Sequence, residues 1–287
     1  MGKFSNMLLA VDFDRTLTDR LSRIPRRNLE AIMEFEREGG AFTVATGRSV
    51  PMFRARHGGI PTNAPLVLYN GGAFYDYETE TLSEAVWMPR GRELLLDMAD
   101  RYPMLLAEVQ GIDYHYLIGD CPMREAFYRT NQAPAKAATM DELPEQMIKI
   151  ALFGSFEDDT VRQFFEATEE EFALFEEATA YLRQTYGEDL VVDRAAARII
   201  DIQARQVSKG AAVRKLAEKL GRSILVCAGD APNDISMLEE ADLAFVPCDC
   251  EQSMRKRGYH QVCSCDEGAI AGVVEALASM KQRTEES

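Results

Sequence analysis

No apolar run in the chain approaches the ~20 residues that a membrane-spanning helix needs, which excludes a helical membrane span. Basic side chains are scarce: 32 Lys and Arg stand against 47 Asp and Glu, for a net charge of −15. Nucleic-acid phosphates and anionic membrane surfaces both need a basic face, so neither is expected as a partner. A local basic pocket for a small anion stays open. The three histidines, His57, His115 and His260, match no metal spacing and read as surface or loop residues. Six cysteines in 287 residues form no disulfide framework, which points to a reduced, cytoplasmic setting. Residues Met1 to Asn6 lack the apolar stretch of a signal peptide, and Asn6 stands where myristoylation wants Ser or Thr. Internal repeats and low-complexity segments are absent.

What is present is ordinary in bulk: 46% hydrophobic and 28% charged residues, long enough for one large domain or two smaller ones. The informative stretch is Leu8-Leu9-Ala10-Val11-Asp12-Phe13-Asp14-Arg15-Thr16. An apolar run of strand type, starting at Met7, ends in two carboxylates two positions apart. Alternation along an extended chain puts such side chains on the same side. Two acids so placed repel each other and hold a hard cation well. Folding alone asks for no such pair at the end of a buried strand.

The first part reads strand, helix, strand, helix, strand. Pro25 opens a helix with Leu29, Ile32 and Met33 on its inner face, and Gly39-Gly40 closes it. Ala41 to Ala45 and Leu66 to Tyr69 are strands, and Asn70-Gly71-Gly72 is a tight turn. In the last part Ser208 caps a helix carrying Val213, Leu216, Ala217 and Leu220 on one face. Ile224 to Ala228, Leu243 to Val246 and Gln261 to Cys263 follow as strands, before a closing helix with Ile270, Val273, Val274 and Leu277 inward. Short apolar strands alternating with helices imply an α/β fold with a doubly wound parallel sheet.

The middle mixes strand-like segments (105–109, 114–118, 148–153, 190–192 and 198–202) with longer helices. One helix is expected from Glu157 to about Phe172, with Val161, Phe164 and Phe165 inward. The acidic run Glu169-Glu170-Glu171 reads as a solvated helix face. Trp87, Tyr114, Tyr116 and Tyr181 read mostly as core of this part. The expectation is a core of residues 1–82 and 205–287, interrupted by an α+β insertion over 83–204.

Ligands of open parallel sheets sit beyond the carboxyl ends of the strands. Four polar clusters occupy such ends or helix starts: Asp12-Phe13-Asp14-Arg15-Thr16, Thr46-Gly47-Arg48, Ser208-Lys209-Gly210, and Gly229-Asp230-Ala231-Pro232-Asn233-Asp234. A lone Asp-x-Asp is usually a turn or helix cap, and a lone Lys209 a solvated helix-start residue. All four in this order form a joint signal.

Together these residues resemble the haloacid dehalogenase superfamily of phosphohydrolases, in its Cof-like branch with a C2-type α+β cap inserted after the third strand. The first motif of that family is Asp-x-Asp-Gly-Thr, and Arg15 stands here where Gly is common. The resemblance implies a Mg²⁺-dependent phosphatase acting on a small phosphorylated metabolite, such as a sugar or polyol phosphate. It implies Asp12 as nucleophile and Asp14 as the acid that protonates the leaving alcohol, then takes a proton from water. Mg²⁺ would be held by Asp12, the Asp14 backbone carbonyl and Asp230, with Asn233 and Asp234 orienting Asp230 or reaching the metal through water. Thr46 would bind a phosphate oxygen, helped by backbone N–H groups of Gly47 and the following helix start. Lys209 would neutralise the nucleophile and the transferring group. Arg48 would bind phosphate or an acidic neighbour, and Asn70 is a secondary candidate near the cap hinge. The cap would act as a lid over the substrate.

Other readings compete. A phosphomannomutase-like phosphotransferase would keep the chemistry and change the acceptor to a sugar. A phosphate-binding or receiver-type domain is a non-enzymatic option, but receivers carry their phosphorylated Asp on the third strand, which here ends in Tyr69-Asn70. Cys248, Cys250, Cys263 and Cys265 follow strands of the last part. Their C-x-C spacing is not that of a zinc knuckle, so plain thiols are expected.

Overall fold

A computed structural model describes residues 2–56, 59–119, 122–154 and 167–285. In chain order β1 (Met7–Val11) leads through an irregular turn to α1 (Arg26–Arg37), β2 (Ala41–Val44), α2 (Val50–Arg54), β3 (Leu66–Leu68), β4 (Ala73–Asp76) and β5 (Thr81–Ala85). The middle supplies α3 (Gly91–Arg101), β6 (Leu105–Gln110), β7 (His115–Ile118), α4 (Pro122–Thr130), β8 (Ala135–Ala137), β9 (Lys149–Gly154), α5 (Glu169–Tyr186), β10 (Leu190–Ala196) and β11 (Ile199–Ala204). The rest is α6 (Lys209–Lys219), β12 (Ile224–Ala228), α7 (Ile235–Glu240), β13 (Leu243–Pro247), α8 (Gln252–Arg255), β14 (His260–Val262) and α9 (Ala269–Glu285). Among the described residues no helix is long and apolar enough to cross a membrane.

The chain divides into two compact units, one of Met1–Gly47, Gly58–Glu84 and Ser208–Ser287, the other of Arg48–His57 and Ala85–Val207. The segment Arg48–His57, which the sequence reading left with the first unit, belongs to the second for a packing reason. Met52 and Ala55 of this segment lie against Leu117, Tyr128 and Ala133.

In the first unit five parallel strands run in the order β14-β13-β12-β1-β2. A parallel bridge from Ala45 to Val67 adds the start of β3, which then pairs with β4 in a small antiparallel sheet completed by β5. Every residue of β1 is buried, as expected of a central parallel strand covered on both faces. Leu8 and Ala10 share a cluster with Val213 and Leu216 of α6 and Leu238 of α7. The chain leaves β1 towards β2 on one side and returns to β12 on the other, so the order reverses between β1 and β12. Such a switch point leaves a crevice beyond the carboxyl ends of the two strands.

The inner face of α1 is Asn28, Ile32 and Phe35 rather than Leu29, Ile32 and Met33. Met33 is 60% exposed. The phase is set by Phe35, which stacks on Phe4 at 4.8 Å, and by Asn28. The Asn28 side chain donates to the Leu17 carbonyl and accepts from the Ala271 N–H at the start of α9.

The second unit is a six-stranded sheet in the order β10-β11-β9-β6-β7-β8, antiparallel except for the β7–β8 pair. Leu94 and Met98 of α3 and Phe175 and Leu182 of α5 pack with Val109, Leu152 and Ile202 of the sheet. Helix α5 starts at Glu169, where Thr168 and Glu171 form a reciprocal capping box. Glu171 is therefore buried and paired with Arg198, not part of a solvated face. The expected inward residues Val161, Phe164 and Phe165 lie outside the described residues. The tyrosines buried in this unit include Tyr102, Tyr128 and Tyr186, whereas Tyr114 is 43% exposed. His115, expected on a surface or loop, lies on β7 and is fully buried.

Candidate active site

Asp12 leaves β1 with extended backbone (φ −67°, ψ 157°), and its N–H still donates to the Ala228 carbonyl of β12. The chain then turns sharply. Arg15 adopts a left-handed conformation (φ 59°, ψ 11°), where a side chain costs roughly 1–2 kcal/mol relative to the right-handed region. This explains why Gly is common at that position of the resembled motif. The turn closes through Leu17 N–H to the Asp12 carbonyl and Arg15 N–H to the Thr18 hydroxyl. It also brings the buried Thr16 hydroxyl to donate to Asp230 Oδ1 at 3.3 Å.

Asp230 stands in the corresponding place after β12, and Lys209 is the first residue of α6, capped by Ser208. A Cβ on Gly210 would come within 2.1 Å of the Ser236 carbonyl oxygen, so only Gly lets the start of α6 lie this close to α7. That approach seats Lys209, 1% exposed, among the acids. Its Nζ donates to Asp12 Oδ1 at 2.7 Å and to Asp234 Oδ1 at 2.6 Å. Asp234 Oδ2 accepts from the N–H groups of Asp230 and Ala231 at 3.0 and 3.2 Å. Both Asp234 oxygens are thus engaged, and the residue fixes the Asp230 loop to Lys209.

Asp12, Asp230 and Asp234 each offer a carboxylate oxygen within 4.8 Å of the others, and all three are buried. Three acids gather in this cluster, and a single ammonium, bonded to Asp12 and Asp234, offsets their charge. Burial, reinforced by the Asp234 charge, pushes the Asp12 carboxyl up to about 8 despite the pull of Lys209. Asp230 rises to about 6, again through burial and then Asp234, opposed by the Arg15 guanidinium and the Thr16 hydroxyl. Burial alone would lower Lys209, but Asp12 and Asp234 outweigh it and hold the ammonium above its ordinary range. A cluster with this surplus of negative charge and only oxygen donors fits a hard divalent cation.

The other expected site residues fall as follows. Asp14 is half-buried in the turn after Asp12, and its side chain is not part of the acidic cluster. Thr46 is buried, its N–H donating to the Val67 carbonyl and its carbonyl accepting from the Asn70 N–H. Asn70 is left-handed (φ 57°), and its Oδ1 would lie 2.7 Å from a Cβ on Gly47. Thr46, Gly47 and Asn70 therefore form one local structure. Arg48 opens the second unit's share of this stretch. Asn233 is exposed in the turn Pro232–Asp234 and outside the acidic cluster. Thr16 was not singled out as a site residue, though its place two residues after Asp14 is the signal that identifies it. The four cysteines do not form a metal cluster among the described residues; Cys265 Sγ instead donates to Asp249 Oδ2.

The sequence profile of the haloacid dehalogenase-like hydrolases matches residues 9–274. The chain is 24% identical over 283 residues to the 5-amino-6-(5-phospho-D-ribitylamino)uracil phosphatase YwtE of Bacillus subtilis, covering 94% of this chain and 98% of that protein. It is 24% identical over 262 residues to the pyridoxal phosphate phosphatase YbhA of Escherichia coli, covering 87% and 90%. In structure it resembles a haloacid dehalogenase-like hydrolase from Bacteroides thetaiotaomicron with a TM-score of 0.77 at 17% identity, over 95% of this chain and 98% of the other.

Proposed function

The chain belongs to the haloacid dehalogenase-like hydrolase family, and we propose that it is a Mg²⁺-dependent phosphatase of small phosphorylated metabolites. The observation that carries the reading is the buried meeting of Asp12, Asp230 and Asp234, with Lys209 bonded to the first and the last. Two of the relatives are named as phosphatases, one of a phosphorylated ribityl compound and one of pyridoxal phosphate. Both names describe a phosphate ester on a small molecule, and the phosphorylated ribityl chain of the first is itself a polyol phosphate, which supports a sugar or polyol phosphate as the substrate class here.

Asp12 and Asp230, with the Asp14 backbone carbonyl, would hold the cation, and Asp234 would orient Asp230. Bound there, Mg²⁺ supplies the positive charge that lets a carboxylate approach a phosphate dianion. Lys209 engages Asp12 Oδ1, which leaves Oδ2 as the attacking atom. In the first step this oxygen bonds to phosphorus while the ester P–O bond breaks, and the departing alkoxide takes a proton from Asp14. In the second, Asp14 takes a proton from water as that water attacks the aspartyl phosphate, releasing inorganic phosphate and restoring Asp12. Lys209 stays protonated throughout and offsets charge on the transferring group. Thr46, Gly47 and Asn70 are the proposed phosphate-binding residues, with Arg48 adding a cation and Asn233 a further amide. The test is a panel of sugar, polyol and other small phosphate esters with Mg²⁺, read by released inorganic phosphate. Release from one class is expected; no release from any ester, with tight binding of one, would replace this reading with a non-catalytic one.

A further inference from the structure

Two polar features of the second unit lie outside the proposed chemistry. One is closed. Glu108 accepts from Gln110, Arg124 and Tyr128 and is hydrogen-bonded to His115 Nδ1, while His115 Nε2 lies 2.6 Å from Ser49 Oγ. Glu108, His115 and Ser49 are each 0% exposed, so this network offers no surface to a ligand.

The other is open. The turn 111–114 between β6 and β7 is closed by the Gly111 N–H, which donates to the Tyr114 carbonyl at 3.0 Å. The Met88 N–H donates to the Met147 carbonyl at 2.7 Å and so ties the chain beside Trp87 to the segment 144–148. These pieces of chain enclose a cleft of about 310 Å³, whose lining includes Trp87, Ile112, Asp113, Tyr116, Glu145 and Ile148. Ligand pockets span roughly 300–1,000 Å³, so this one has room for a single small molecule. Every lining residue belongs to the second unit.

The lining favours one sign of charge. Trp87 and Tyr116 are half-buried and offer rings whose faces carry partial negative charge. Asp113 and Glu145 are exposed and make no ion pair or hydrogen bond among the described residues. Among the described residues no Lys, Arg or His lines the cleft. Ring faces in this region already take an ammonium: Lys136 Nζ lies 4.8 Å from the ring centroid of Tyr116 and 5.0 Å from that of Tyr114. Two carboxylates against that one ammonium leave the surroundings negative, so a phosphate ester is repelled. A neutral polyol gains hydrogen bonds but nothing from the charge. A cation gains from the charge and from the ring faces.

We propose that this cleft is a binding site for a small organic ammonium ion, held against Trp87 and Tyr116 with Asp113 and Glu145 as its counter-charges. Phosphatase activity plays no part in it, so its test runs on the full chain without a phosphate ester. Choline is titrated into the protein by calorimetry and by fluorescence. Trp87 is the only tryptophan, so its emission reports on this cleft directly. Saturable heat and a saturable change in emission are expected, with one dissociation constant in about the millimolar range. The neutral isostere of choline, with a tert-butyl group in place of trimethylammonium, should bind at least about tenfold more weakly. The double variant Asp113→Asn, Glu145→Gln should bind choline about tenfold more weakly and with less dependence on salt. Its circular dichroism should match wild type, because both side chains are exposed.

No saturable signal below about 100 mM choline would overturn the proposal. So would heat without a change in Trp87 emission, which would place the ligand elsewhere. Equal binding of the neutral isostere, or unaltered affinity in the double variant, would remove the charge from the account. Glucose binding more tightly than choline would make this a site for neutral sugars instead.

Discussion

Lys209 Nζ lies 2.7 Å from Asp12 Oδ1, across a sequence separation of 197 positions. The same ammonium holds Asp234 at 2.6 Å. Replacing it by Met leaves two buried carboxylates with no cation between them. Breaking a buried pair in this way costs about 3–5 kcal/mol, and loss of the charge at the reacting group should lower turnover about a thousandfold. Denaturant unfolding and phosphate release measured on Lys209→Met check both. Lys209→Arg should not restore activity, because a planar guanidinium does not replace a compact ammonium in so tight a site.

On the proposed reading, metal and pH should act together on this cluster. Asp12, held up to about 8, and Asp230, held up to about 6, keep protons in the folded protein that the unfolded chain has already lost. Their contribution to stability is full below the ordinary carboxylate pKa of about 4. It is lost as pH rises through 6 and then 8. Melting in EDTA should therefore show falling stability across that range. If the cluster is the proposed Mg²⁺ site, the ion would bind the ionised form and release protons, so it should raise the Tm more at about pH 8.5 than at about pH 6. An equal shift at both values would count against the cluster as the metal site.

Arg15 pays a backbone penalty at φ 59° while its charge lowers the Asp230 carboxyl. Arg15→Gly removes both. The variant should be more stable by about 0.5–1 kcal/mol, since relief of the left-handed strain outweighs the added freedom of the unfolded chain. Asp230 should hold its proton to higher pH, so half-saturation with Mg²⁺ at about pH 6 should need more metal than in wild type. Chemical unfolding and a Mg²⁺ titration of activity test the two arms.

Glu108 is ionised and buried, and Arg124 is its principal counter-charge. Arg124→Met should cost about 3–5 kcal/mol by stranding the carboxylate. Tyr128→Phe removes one donor to a charged acceptor and should cost about 1.5–3 kcal/mol. Urea unfolding of each variant reads these losses, and a near-neutral Arg124→Met would show that Glu108 is not held by the ion pair.

The legibility of these features differs for physical reasons. A strand buried on both faces must be apolar throughout, so the acids just after Met7–Val11 and Ile224–Ala228 stand out against their own neighbours. Lys209 is legible because Ser208 and Gly210 mark a capped helix start beside it. Glu108, His115 and Ser49 carry no such contrast. They lie on separate elements, joined only when β6 pairs antiparallel with β7 and α2 packs on α4, and each is an ordinary residue in its own segment. Met33 faces outward because the phase of α1 is set by Phe4, which lies 31 positions before Phe35 and outside the helix, where the helix's own periodicity does not reveal it. Glu171 was readable: Thr168 three residues ahead of it is the sequence form of a capping box.

The most direct test of the account is phosphate release by wild type and Asp12→Asn with Mg²⁺ on the best ester of the panel, with circular dichroism to compare their folds. The account predicts a folded Asp12→Asn protein with turnover lowered at least about a thousandfold, and acid-quenched wild type carrying one phosphoryl group that the variant lacks. A folded Asp12→Asn protein that hydrolyses the ester at the wild-type rate would contradict it.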